Sequence, residues 1–101
     1  MGREIVPNTR LTAARKSLLS PSGSERTMSR QELADACNAV LARMYAERGS
    51  RQRWAGLTER TIGALERGEI RWPNHDYRRA LCVVLVTDER GIGLYLSLIH
   101  I

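Results

Sequence analysis

The sequence predicts an all-α fold, a compact bundle of four to five helices, on three observations. Phenylalanine is absent, and strand-type alternation of apolar and polar residues is scarce. Alanine, leucine, arginine and glutamate, which favour helices, dominate the middle of the chain. Apolar residues recur at helical spacing after residues that commonly cap helices. At 101 residues the chain has room for one domain with a modest core, which argues against a large substrate cleft.

Asn8 predicts the start of the first helix, because its side chain can accept hydrogen bonds from the free amide groups of a first turn. The helix is expected to extend to Leu19. Residues 1–6 before it are expected to form a flexible N-terminus. Residues 20–27 after it are rich in Ser, Gly and Pro, which predicts a flexible loop. The buried face of this helix is predicted to be Leu11, Ala14 and Leu18.

Ser29 and Glu32 form a capping box, which predicts the start of the second helix. Met28 and Leu33 occupy the two positions of a hydrophobic staple around the same start. The helix is expected to end at about Ala46. Its apolar stripe is predicted to be Leu33, Ala34, Cys37, Val40, Leu41 and Met44.

A polar and basic stretch, residues 47–56, is predicted to be a loop, with glycines as breakers and Trp54 as its large apolar anchor. Two interpretations of its arginines stay open. They track a phosphate strand along the lengthened loop, or they form a solvated charged surface. These arginines are Arg48, Arg51 and Arg53.

Thr58 is the predicted cap of a short third helix, from Glu59 to Arg67, and Gly68 is placed for a left-handed cap at its end. Leu57 and Ile62 occupy the two positions of a hydrophobic staple around its start, and its buried edge is predicted to be Ile62 and Leu65. Its outward face is predicted to comprise Glu59, Arg60, Gly63, Ala64 and Arg67.

Asn74 is the predicted cap of a fourth helix that completes the core. Residues 87–89 look like the start of another turn, which Gly91 and Gly93 interrupt. The core residues of this helix are predicted to be Tyr77, Leu81, Val84 and Leu85.

The last six residues, 96–101 (LSLIHI), form an apolar stub without a polar tail. The codons CTG TCT CTT ATA CAC ATC encode the same six residues, and this DNA is similar to a transposon mosaic end used as a sequencing adapter. We therefore expect a non-native tail at 96–101, with the native reading frame cut near Tyr95. The alternative is a genuine short C-terminal strand or helix end.

The charge of the chain is compatible with a nucleic-acid partner. A total of 16 Lys and Arg against 11 Asp and Glu gives a net charge of +5, and every one of these cations except Lys16 is arginine. Guanidinium groups bind phosphate and guanine bidentately, which an ammonium group cannot do. A GC-rich genome would produce the same arginine bias whatever the function, so both explanations stay open.

The sequence offers no constellation for metal binding, catalysis or membrane insertion. Cys37 and Cys82 lie within apolar helical patterns and are expected to be buried free thiols. With His75 they are too few for a zinc site, and His75 is expected at the surface rather than as a general base. The longest apolar run, residues 80–86, is too short to cross a bilayer. We expect a soluble, cytoplasmic protein without enzymatic activity, cofactor or small-molecule ligand.

Two sets of motifs resemble known regulators. Residues 29–34 (SRQELA) followed by residues 57–68 (LTERTIGALERG) are similar to the Cro and phage-repressor (Xre-like) helix-turn-helix family. The resemblance covers residues 7–95 and implies a lambda-repressor-like DNA-binding domain over that range. More narrowly, the chain resembles the N-terminal domains of actinobacterial transcription regulators at residues 7–11 (PNTRL), 66–73 (ERGEIRWP) and 77–81 (YRRAL).

The resemblance implies sequence-specific binding of double-stranded DNA at the nucleoid, by one copy or by a homodimer, with the third helix in the major groove. Arg60 and Thr61 would face base edges, and Arg60 has the fork geometry for guanine O6 and N7. Arg67 and Arg71 would contact phosphates. The other implied interface residues are Arg30 and Gln31, early in the second helix, and Glu59 and Ala64 beside the base-reading positions.

The resemblance also implies that Arg15 pairs with Glu66 as a half-buried structural brace that does not touch DNA. The chain departs from the compact family pattern where residues 20–27 and 47–56 lengthen two connections. The second insertion interrupts the tight turn between the second and third helices. Trp72 is expected to pack over the core rather than to stack against DNA sugars.

Two other functions compete with specific DNA binding. The scaffold can serve as a protein-interaction module that does not bind DNA, because fold does not fix function. RNA binding is disfavoured, because the aromatic RNP motif and a Gly-x-x-Gly loop are missing. Cations on the outward face of the third helix favour DNA, whereas exposed apolar residues there would favour a protein partner. Arg60 and Arg67 therefore favour DNA.

Overall fold

The computed structural model describes residues 6–20, 26–49 and 56–94. These residues form four α-helices, α1 (Thr9–Lys16), α2 (Arg30–Arg48), α3 (Glu59–Glu66) and α4 (His75–Leu85). The predicted all-α class is confirmed. The described part contains no β-strand, only an isolated antiparallel bridge between Leu19 and Thr27. Among the described residues, no helix is long and apolar enough to span a membrane.

All four helices begin at the residues that the sequence marks as caps. The side chain of each cap accepts a hydrogen bond from a backbone N–H of the first turn, which satisfies one of its free amide groups. In α2 the box is reciprocal, because the Glu32 carboxylate also accepts from the backbone N–H of Ser29 at 2.9 Å. The four caps are Asn8, Ser29, Thr58 and Asn74.

The end of α1 differs from the prediction, because the chain leaves the helix after Lys16 rather than Leu19. The next residues pair with the segment that precedes α2, and this pairing replaces the helical hydrogen bonds. The ends of the predicted flexible loop 20–27 are thereby held together. The pairing consists of Leu18 O accepting from Met28 N at 2.9 Å and of Ser20 N donating to Arg26 O at 2.7 Å.

The end of α2 also differs, because the helix continues past Ala46 to Arg48 and Gly49 closes it in the left-handed conformation at φ 67°. Contacts of the Arg48 side chain stabilise this extension of the helix beyond Ala46. Its guanidinium lies 5.6 Å from the ring centroid of Tyr45 and donates to Asp76 Oδ1 of α4 at 3.1 Å. The prediction that placed Arg48 in a loop is therefore wrong.

Several predictions concern residues outside the described part of the chain. They include most of the flexible N-terminus at 1–6, the middle of the loop 20–27 and the non-native tail at 96–101. The same holds for much of the 47–56 segment, with its anchor Trp54 and its two later arginines, Arg51 and Arg53. These interpretations stay predictions.

The core lies where α2 packs against α3 and α4, and α1 packs against α3. The apolar stripes predict its composition well. In α4, Leu81 and Leu85 are buried, and Tyr77 and Val84 are partly buried against them. The largest fully buried side chains are Leu11, Leu33, Leu41, Ile62, Leu65, Leu81, Ile92 and Cys37.

The segment after α4 contributes core residues that the helical stripes do not predict. Residues 86–94 form turns rather than a fifth helix, and Ile92 and Leu94 are buried. The Asn8 side chain donates to Ile92 O at 2.8 Å, so the cap of α1 also anchors these turns. Gly93 adopts φ 71°, and a Cβ there would collide with the Asn8 side chain. Glycine is therefore required for this close approach.

Candidate nucleic-acid interface

The first turn of α3 presents the predicted base-reading residues at or near the surface. Glu59 and Arg60 are exposed, and among the described residues Arg60 has no hydrogen-bond or ion-pair partner. Thr61 is half-buried, and its hydroxyl lies 3.0 Å from the hydroxyl of Thr58. The opposite side of the helix is anchored in the core through Ile62. The exposed end of α3 therefore carries a cation that is available to a ligand.

The second turn of α3 is less exposed than predicted. Gly63, expected on the outward face, is buried, and Ala64 is half-buried. A Cβ at Gly63 would lie 2.9 Å from Arg67 Nη1, so the Arg67 side chain folds back over the glycine. Arg67 also forms an ion pair with Glu69, in which the two side chains are 56% and 47% exposed. The helix ends at Glu66, and Arg67 is its C-cap rather than its last helical residue.

Glu66 binds two arginines from two different helices at the end of α3. Arg15 of α1 donates from Nε to Oε2 at 2.6 Å and from Nη2 to Oε1 at 3.2 Å. Arg30 of α2 donates from Nε to Oε1 at 3.0 Å. The pairing of Arg15 with Glu66 that the resemblance implies is present. It is buried rather than half-buried, because the two side chains are only 9% and 2% exposed. One carboxylate therefore ties α1, α2 and α3 together.

The Glu66 cluster carries an excess positive charge. Burial acts to raise the pKa of the Glu66 carboxyl, but hydrogen bonds and charges from Arg15 and Arg30 outweigh burial and hold the pKa below its ordinary value of 4.5. Glu66 is thus ionised at neutral pH and neutralises only one of the two arginines. Arg15 is buried, whereas the Arg30 side chain is 45% exposed. The excess charge therefore lies at the surface, on the arginine beside α3.

The remaining predicted interface residues differ in their surroundings. Gln31 is exposed, but its amide donates to Asp35 Oδ1 on the same helix at 2.9 Å. Arg71, in the turn after α3, is half-buried and lines an open groove of about 250 Å³ together with Arg10 of α1. Arg10 is itself exposed and donates to Arg90 O at 3.1 Å. Two arginines from distant parts of the chain therefore line the same groove.

Sequence reasoning missed the residues that fix the start of α3. The Asn38 amide of α2 donates to Leu57 O at 2.8 Å and accepts from Leu57 N at 2.7 Å. The Tyr77 hydroxyl of α4 donates to Gly56 O and accepts from Gly56 N, both at 3.1 Å. These contacts position α3 against α2 despite the lengthened connection. The available signal is Asn38 itself, because a polar amide near an apolar stripe needs hydrogen-bond partners.

Four other residues predicted from the sequence are Trp72, Cys37, Cys82 and His75. Trp72 packs against the core, as expected, and the guanidinium of Arg78 lies 3.9 Å from its ring centroid. Cys37 and Cys82 are free thiols. Cys37 is buried, and burial raises its pKa to about 12, which makes the thiol inert. Cys82 is half-buried rather than buried, and desolvation is the main cause that raises its pKa. His75 is exposed, as expected for a surface residue.

The described ranges contain no group of three or more His, Cys, Asp or Glu side chains that could hold a metal ion. Searches of protein-family models, of curated proteins and of solved structures found no match to the chain. Side-chain geometry, charge and the resemblance of the motifs are therefore the observations that bear on function.

Proposed function

We propose that this chain binds double-stranded DNA in a sequence-specific manner, as the DNA-binding domain of a bacterial transcription regulator with α3 in the major groove. The proposal rests on one observation, the exposed Arg60 in the first turn of a short helix whose other side is buried. An α-helix fits the major groove, where a guanidinium can donate two hydrogen bonds to guanine O6 and N7. Such a protein works in the cytoplasm, at the nucleoid.

Arginines beside α3 would bind phosphates and supply affinity without sequence information. Glu66 holds Arg30 through Nε, and the 45% exposure of the Arg30 side chain lets a phosphate oxygen approach the rest of the guanidinium. Arg67 would exchange Glu69 for a phosphate, which costs little because that ion pair is exposed. Arg71 would reach a phosphate from the turn after α3.

The other residues of the first two turns of α3 have narrower roles. The Thr61 hydroxyl is close to the hydroxyl of Thr58, which leaves the Thr61 methyl as its group for a thymine methyl. Glu59 repels phosphate, so it accepts from cytosine N4 or stays outside the groove. Ala64 adds a small apolar surface. Gln31 would have to give up its contact with Asp35 before it could bind DNA.

Selection of bound duplexes from a random DNA library by the full chain tests the proposal. The selection is made near physiological salt, where non-specific binding is suppressed. We expect an enriched motif, and its half-site spacing will show whether one copy or a homodimer binds. No enrichment by a chain that circular dichroism shows to be helical would contradict the proposal and favour a protein-interaction module.

Three arginine variants separate base reading from phosphate binding. Arg60→Ala is expected to relax the base preference at one position, a loss of about 1 to 3 kcal/mol of discrimination. Arg71→Ala is expected to weaken all duplexes and to lower the salt slope by about one. Arg79→Ala, at an exposed arginine of α4, is the matched control and should change neither the base preference nor the salt slope. Equal losses on every duplex for the Arg60 and Arg71 variants would contradict the base-reading role of Arg60.

A further inference from the structure

A groove between α2 and α4 lies apart from the proposed DNA interface. It is open and has a volume of about 400 Å³. Of the described residues that line it, none belongs to α3. Its apolar part consists of Val40 and Met44 of α2 and Val83 of α4. Val40 is already buried, Met44 is partly buried and Val83 is 50% exposed, so Met44 and Val83 supply the apolar surface of the groove. DNA bound at α3 does not use this surface.

Two arginines make the rim of this groove positive. Arg43 of α2 and Arg79 of α4 line it and are exposed, and neither has a hydrogen-bond or ion-pair partner among the described residues. Arg48 also lines the groove, but Asp76 already accepts from it at 3.1 Å. Glu47 is the one carboxylate in the described lining. An acidic partner therefore fits the rim better than a basic one.

Two valines at the end of α4 are exposed, and one of them, Val83, lines the groove. Val83 is 50% exposed and Val86 is 84% exposed. Val86 also closes the helix in the left-handed conformation at φ 53°. This conformation is strongly unfavourable for a β-branched residue, whereas glycine adopts it freely. Its side chain gains little burial within the chain in return. A partner that covers Val86 would explain an exposed valine in a strained position.

We propose that this groove binds an amphipathic helix of another protein, with acidic residues on both sides of an apolar stripe. A groove between two packed helices accommodates side chains of a third helix spaced at i, i+3 and i+4. These side chains would cover Met44 and Val83, and flanking carboxylates would pair with Arg43 and Arg79. A second copy of this chain fits poorly, because a two-fold contact would bring the same arginines together.

Two synthetic helical peptides with the same apolar stripe are the probes, one flanked by glutamate and the other by lysine. Each is titrated into the ¹⁵N-labelled full chain, and amide shifts are followed by NMR. The glutamate peptide is expected to bind about tenfold more tightly, because it gains two ion pairs where the lysine peptide meets repulsion. The shifts are expected in α2 and α4, and duplex DNA should not displace the peptide.

Charge reversal sharpens the test. Arg43→Glu combined with Arg79→Glu is expected to reverse the preference between the two peptides, and Val83→Ser is expected to weaken both. Arg90→Glu, at an exposed arginine that does not line the groove, is the control and should leave the preference unchanged. If the reversed variant does not fold, the comparison of the two peptides on the unmodified chain decides whether the groove prefers an acidic partner.

Several results would overturn the proposal. They are equal binding of the two peptides, no binding of either, and shifts that map to α3. Shifts in α2 and α4 that depend on protein concentration without peptide would identify a second copy as the occupant and overturn it too. This proposal does not rest on DNA binding, so it survives a failed duplex selection, and duplex binding survives its failure.

Discussion

Two buried carboxylates hold the helices of this chain together, and they differ in what they bind. Glu66, at the end of α3, is 2% exposed and accepts from two guanidinium groups, one of which is buried. Asp76, in the first turn of α4, is 11% exposed and accepts from the Tyr45 hydroxyl at 2.7 Å and from the half-exposed Arg48 at 3.1 Å. The first site is a buried ion cluster, and the second pairs a carboxylate with a hydroxyl and a surface cation.

The difference indicates that the loss in the free energy of unfolding, when a buried carboxylate is removed, depends on whether its cationic partner is buried or exposed. Without Glu66, the Arg15 guanidinium would be buried without a counter-ion, which is strongly destabilising. Without the charge of Asp76, Arg48 can turn to water, because 46% of its side chain is already exposed. Stability should therefore depend more on the Glu66 cluster, beside the proposed DNA interface, than on the contacts of Asp76 with Tyr45 and Arg48.

Glu66→Gln is expected to give the largest effect, a loss of about 3 to 5 kcal/mol in the free energy of unfolding, because a neutral amide cannot compensate the buried Arg15. Urea denaturation followed by circular dichroism measures the loss. Glu69→Gln is the matched control, because it removes an exposed ion pair with Arg67 and should cost at most about 1 kcal/mol. Equal losses in the two variants would show that burial of the cluster does not matter.

Acid should weaken the Glu66 cluster in the unmodified chain. The pKa of Glu66 is lower in the folded chain than its ordinary value of 4.5, so near that pH the unfolded chain binds more protons. The stabilisation is therefore complete above about pH 4.5 and is lost as the pH falls through the folded pKa. Urea midpoints measured from neutral pH downwards should show this loss, and Glu66→Gln should reduce it.

Some pH dependence should remain in the Glu66→Gln variant. The pKa of Glu32 is also lowered in the folded chain, chiefly by a hydrogen bond from the Ser20 hydroxyl. Glu32 therefore also contributes stability at neutral pH that is lost in acid, as Glu66 does. A variant whose stability falls with acid as steeply as that of the unmodified chain would contradict the assignment to Glu66.

The starts of the helices could be predicted from the sequence, and the end of α3 could be predicted to within one residue, with Gly68 left-handed at φ 83° as expected. The ends of α1 and α2 could not be predicted. A cap depends on residues three positions apart, such as Ser29 and Glu32, so local chemistry decides it. The end of α1 depends on pairing between Leu18 and Met28, and the end of α2 is held by a contact between Arg48 and α4. Such contacts join distant parts of the chain and leave no local pattern.

In the candidate site, too, motifs predict some contacts, whereas contacts between distant residues leave no pattern in the sequence. The pairing of Arg15 with Glu66 came from the resemblance of motifs, but nothing in the sequence indicated that Arg30 binds the same carboxylate. The resemblance assigns Arg30 to DNA alone, and the structure makes it part of the brace as well. The contact of Asp76 with Tyr45 was missed, because it joins two helices whose stripes otherwise predict only apolar packing.

Asp76→Asn is expected to give the smaller loss, about 1 to 3 kcal/mol, because it removes the charged acceptor of these two hydrogen bonds but leaves no buried cation unpaired among the described residues. Tyr45→Phe should cost about 1 kcal/mol, since it deletes one of those bonds and keeps the packing of the ring. If both act through the same bond, the double variant should lose less than the sum of the single variants in urea denaturation. A loss for Asp76→Asn as large as that for Glu66→Gln would mean that burial of the carboxylate, rather than the cation it leaves behind, sets the cost.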